Sequence, residues 1–117
     1  MPYADEMAEN LLQGIKAKDY AVFSRDFSDK MKLGIDEVAF TTMVEQFEVT
    51  IGTYESKAFA QAANTIQDDV DYTVVVYKAR FTDEDDDVLV TVTFGGDEAG
   101  RTIEGLFFTS PKLRGES

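Results

Sequence analysis

VDYTVVVYKARFT (Val70–Thr82), DVLVTVTF (Asp87–Phe94) and RTIEGLFFT (Arg101–Thr109) read as three β-strands of a meander, rich in Val, Thr, Tyr and Phe and separated by acidic or glycine-rich turns. Successive side chains of a strand point to opposite faces. Thr73, Val75, Tyr77, Ala79 and Phe81 therefore share one face, and Tyr72, Val74, Val76, Lys78 and Arg80 the other. The charged end of the second set turns the Tyr77 face toward the core. Val88, Val90, Val92 and Phe94 form the matching inward set, with Leu89, Thr91 and Thr93 outward. In the last strand Thr102 and Glu104 alternate with Ile103, Gly105 and Phe107, which makes the latter three the expected inward set. Tyr72, Val74, Val76, Leu89, Leu106 and Phe108 then leave a broad apolar patch outside, the kind of surface that marks association, and a sheet-to-sheet homodimer is expected there.

Upstream the period changes from two to 3.6. Ala4, Met7, Ala8, Leu11, Leu12 and Ile15 line one face of a helix expected over residues 4–17. Asp19 is placed to cap a short helix carrying Tyr20, Phe23 and Phe27 on its buried side, and Ser28 or Asp29 to cap a turn around Met31 that stops near Gly34. Asp36 caps the next long helix, whose Phe40, Met43, Val44 and Phe47 stripe ends near Gly52. A further strand is expected over residues 54–62, with a turn over 64–69. Residues 110–117 are expected as a flexible tail.

The 117 residues make one domain, and an apolar content of 44% against 29% charged fits a globular chain. The absence of Cys removes disulfides, Cys-bound zinc and thiol nucleophiles. With no His, the commonest general base and transition-metal ligand are also gone. A formal charge of −12 disfavours nucleic acid and anionic membrane as partners. No apolar run reaches the ~20 residues that span a bilayer, and the first 15 residues do not pattern as a signal peptide. The chain reads as soluble, with the cytoplasm ahead of an exported form whose leader has been removed.

Helices followed by an antiparallel sheet is an α+β layout. The first-helix stripe followed by KDYAVFSRDFS (Lys18–Ser28), the helix leading into FEVTIGTY (Phe47–Tyr54), and VTFGGDEAGRTIEGLFF (Val92–Phe108) resemble the nuclear-transport-factor-2-like superfamily. Within it, the Ile103-Glu104-Gly105-Leu106 pattern is similar to an uncharacterised domain-of-unknown-function family. The resemblance implies N-terminal helices packed on a curved, mainly antiparallel four-stranded sheet, a cone with an apolar pocket. It names no reaction, because the superfamily holds isomerase-like and dehydratase enzymes, transport factors and accessory domains.

The expected pocket is lined by Tyr20, Phe23, Phe27, Phe40, Met43, Phe47, Tyr54, Tyr77, Phe94 and Phe107, large side chains at core spacing. The leading function is a non-catalytic small-molecule-binding or protein-interaction domain without cofactor or metal. The alternative is a ketosteroid-isomerase-like enzyme acting on an apolar carbonyl compound, with a phenol of Tyr20, Tyr54 or Tyr77 as donor and Asp26, Asp36 or Glu104 as base. No catalytic residue is assigned. The Asp83–Asp87 acidic run lacks the glycine and terminal acid of a calcium loop and reads as a solvated turn. Gly95, Gly96 and Gly100 lack the following Lys and helix of a phosphate loop.

Overall fold

The structure is a computed structural model describing residues 2–96 and 100–115. Four helices come first, α1 (Pro2–Ala17), α2 (Tyr20–Phe23), α3 (Asp29–Gly34) and α4 (Glu37–Thr50). Four strands follow, β1 (Tyr54–Gln67), β2 (Val70–Phe81), β3 (Val88–Gly95) and β4 (Thr102–Thr109). They form one antiparallel sheet in the order β1-β2-β3-β4, an α+β fold whose sheet does not close into a barrel.

The expected caps are in place. Asp19, Ser28 and Asp36 accept from the backbone N–H of Val22, Met31 and Ala39, each satisfying a donor left open in the first helical turn. Gly52 closes α4 at φ +85°, with its N–H on the Phe47 carbonyl at 2.8 Å. α3 ends at Gly34, as expected, with its C-cap at Ile35.

The core lies between α1 and one face of the sheet. Ala4, Met7, Ala8, Leu11, Leu12 and Ile15 are buried against Val75, Tyr77, Ala79, Val88, Val90, Val92 and Phe94. Phe23 joins α2 to the rest through Phe27 and Phe40, with ring centroids 4.9 and 4.6 Å away. α4 closes the far end, where Phe47 meets Phe108 edge-on at 4.9 Å.

Two strands depart from the sequence reading. β1 extends to Gln67, and the two-residue turn Asp68–Asp69 takes positive φ at both positions, as a type I′ hairpin requires. Alanine, Gln and Asn are weak strand formers, but pairing along the whole of β2 overrides that preference. β4 carries a bulge. Phe94 pairs with Ile103 while Thr93 pairs with Gly105, so Glu104 is an extra residue and the side-chain alternation inverts beyond it. Leu106 and Phe108 therefore face the core opposite Val92 and Val90, and Phe107, expected inside, points outward and is 62% exposed.

The C-terminal segment is tied down as far as Gly115. Ser110 is buried, Leu113 packs on the core, and the Lys112 N–H donates to the Glu84 carboxylate at 3.0 Å. Within the acidic run, Glu84 is thus a buried anchor, not a solvated charge.

Candidate functional site

The space where the pocket was expected is filled. Phe23, Phe27, Phe40, Phe47, Tyr54, Tyr77 and Phe94 are buried against one another and against α1, with Tyr20 and Met43 packed at the margin. Phe40 borders a depression of ≈ 200 Å³ beside α4, and Phe47 and Tyr54 border one of ≈ 40 Å³. Each candidate phenol already has an acceptor. Tyr20 donates to the Ile35 carbonyl at 2.7 Å, Tyr54 to Glu9 at 2.8 Å and Tyr77 to Asp5 at 2.8 Å.

A larger cleft of ≈ 470 Å³ opens on the other face of the sheet. Strand pairing places Val74, Thr93 and Gly105 side by side on the face away from α1, and these residues form its floor. Tyr72 and Glu104 stand at one end and Thr65 and Gln67 of β1 at the other strand edge. Lys30, Met31 and Gly34 of α3 supply the wall. None of the ten residues expected to line a pocket borders this cleft, whereas Tyr72 and Val74, expected at a dimer interface, do.

The cleft exists because α3 is carried around the β4 edge. Residues 26–28 run beside that strand, where Ile103 donates its N–H to Asp26 O at 2.7 Å and accepts from Ser28 N at 3.2 Å. The Glu104 carboxylate then accepts from the Ser28 and Thr102 hydroxyls. Gly95 makes room for it, since a Cβ there would come within 2.8 Å of Glu104 Cγ. Gly105 keeps the floor low, because a Cβ at that position would sit 3.2 Å from the Thr93 side chain.

The other carboxylates considered as bases are likewise engaged. Asp36 caps α4, and Asp26 pairs with Arg25 at 2.8 Å. Burial opposes ionisation of Glu9, but hydrogen bonds from Gln13 and Tyr54 together with the Lys57 charge hold its carboxyl below the usual range. Burial, followed by the neighbouring carboxylates, raises the Tyr54 and Tyr77 phenols well above theirs. The site residues that sequence missed, Lys30, Met31, Gly34, Thr65, Gln67 and Thr93, share no periodic signal, because their meeting depends on where α3 docks.

Of the six residues expected to form a dimer contact, Leu106 and Phe108 face the core, whereas Tyr72 and Val74 lie on the outward face and border the cleft. Val76 and Leu89 remain on the outward face, joined there by Phe107. Among the described residues no group of three or more Asp or Glu side chains is arranged to hold a metal ion, and no helix is long and apolar enough to cross a membrane.

Residues 8–106 match the model of a family described as a protein of unknown function, DUF3887. No curated protein matches the chain.

Proposed function

We propose that this chain, which belongs to the DUF3887 family, is a non-catalytic binding domain of nuclear-transport-factor-2-like type that takes a small molecule in the cleft between α3 and the sheet. The observation that carries this reading is the ≈ 470 Å³ cleft itself, a size that suits a small ligand. Its floor offers Val74 and its α3 wall Met31 for apolar contact, and its rim offers the Lys30 ammonium, the Gln67 amide and the Tyr72 phenol for orientation. A compact molecule with both polar and apolar parts fits that mixture. Binding is favoured over catalysis because both carboxylate oxygens of Glu104, the carboxylate at the cleft, are already engaged, one by the Ser28 hydroxyl and the other by the Thr102 hydroxyl.

Native mass spectrometry of the protein purified from its own host tests this. The expected result is a retained small-molecule mass that is absent from a folded Val74→Trp variant, whose indole fills the cleft. A ligand-free wild type, or an adduct held equally by the variant, would contradict the proposal.

A further inference from the structure

The longest uncharged run in the sequence is AFAQAANTIQ, residues 58–67, ten residues in a chain where 29% carry charge. It lies wholly in β1, the edge strand, and nine of the ten residues are exposed. Exposed edges are usually guarded by charge, by proline or by a covering segment. The opposite edge of this sheet has such a cover, since Phe27 and Ser28 bridge β4 at Ile103. Along β1, among the described residues, no backbone hydrogen bond from another element reaches the outer side. The register shifts near its start, between Tyr54 and Ser56 and between Phe59 and Gln61, leave residues 61–67 as a regular segment.

We propose that this edge pairs with the same edge of a second copy, antiparallel about Asn64, to join two sheets into one. The occupant follows from the segment's own pattern. Reversed on itself, QAANTIQ sets Gln61 opposite Gln67, Ala62 opposite Ile66 and Ala63 opposite Thr65, so amides meet amides and small or apolar groups meet their like. Charge points the same way. Two copies carrying −12 each repel at most surfaces, but here Asp68 and Asp69 of one strand fall opposite Ala60 and Phe59 of the other, and no like charges are brought together. Thr65 and Gln67 also border the cleft, so the joined edge runs along one side of it, but the pairing is made by backbone bonds and does not rest on what the cleft holds.

The lack of cysteine gives a clean test. In an antiparallel pair about Asn64 the two Cα atoms lie about 4.5–5.5 Å apart, within disulfide reach. Full-length Asn64→Cys should cross-link rapidly under mild oxidation, whereas Leu33→Cys, exposed on α3, should not. In sedimentation at about 100 μM the wild type should run at twice 13.0 kDa. Ala62→Lys, an exposed substitution whose fold is checked by circular dichroism, should weaken association about tenfold or more. A monomeric wild type, or a dimer that Ala62→Lys leaves intact and Asn64→Cys does not trap, overturns the proposal.

Discussion

The Ser28 hydroxyl donates to the Glu104 carboxylate at 2.9 Å, joining residues 76 positions apart, and the same oxygen accepts the Met31 N–H at 3.2 Å. One side chain thereby caps α3 and fixes it to the β4 bulge. The wall and the end of the cleft are held together at this point.

Replacing Ser28 by Ala removes both bonds. The lost cap costs about 1 kcal/mol and the lost bond to a carboxylate about 1.5 kcal/mol or more. Urea unfolding should show a destabilisation of about 2–3 kcal/mol, with Ser28→Thr recovering most of it. An unchanged midpoint for Ser28→Ala would mean that α3 is held by other contacts.

Gly14 marks the closest approach of α1 to α2. A Cβ there would lie 2.4 Å from the Phe23 backbone nitrogen, and backbone cannot swing aside as a side chain can. Gly14→Ala is expected to destabilise by about 1–3 kcal/mol or more through overpacking, despite the better helix propensity of Ala. Thermal melts of the two proteins check this, and a stabilised variant would contradict the packing.

Glu84 couples stability to acid. Burial opposes its ionisation, but hydrogen bonds with Ser110 and from the Lys112 and Asp86 backbone N–H groups outweigh that and hold its carboxyl below the usual range. A carboxyl depressed in the fold contributes stability above the unfolded value of about 4.3 and loses it as pH falls through the folded value. Glu84→Gln should therefore cost about 1–3 kcal/mol at neutral pH and flatten the acid limb of a Tm-against-pH curve. An acid limb of unchanged slope would remove Glu84 as its source.

Tyr54 and Tyr77 set the alkaline side. Their phenols are raised by burial first and by Glu9 and Asp5 second. As pH climbs past about 10 the unfolded chain releases these protons before the folded one does, so stability falls. An ultraviolet tyrosinate titration should keep Tyr54 and Tyr77 silent until the protein unfolds. All five tyrosines ionising together in the native protein would contradict the buried bonds to Glu9 and Asp5.

The sequence carried the fold where its periods were strict. The alternation Val75, Tyr77, Ala79 and Val88, Val90, Val92 predicts the burial that is found, and the caps Asp19, Ser28 and Asp36 are local chemistry readable from residue type. Parity failed after Glu104 because a bulge is set by the partner strand, and one extra residue exchanges Phe107 for Phe108 on the core side. The site was lost for a related reason. Large aromatics at helical spacing suit a core or a pocket equally, and here they fill the core. The cleft instead depends on α3 reaching the far face of the sheet, a tertiary placement for which Ser28 and Glu104 carry no joint signal. Glu84 looked solvated among five consecutive acids because nothing local announces the arrival of Ser110 and of Lys112, the latter 28 residues downstream.

The most direct test of the central claim is an ¹⁵N-resolved NMR titration of the full chain with a library of small mixed polar and apolar fragments. Saturable shifts should cluster at Met31, Gly34, Thr65, Val74, Thr93 and Gly105, and vanish in Val74→Trp. Shifts centred instead on Phe40 and Val44 beside α4, or none that saturate, would contradict the cleft as the binding site.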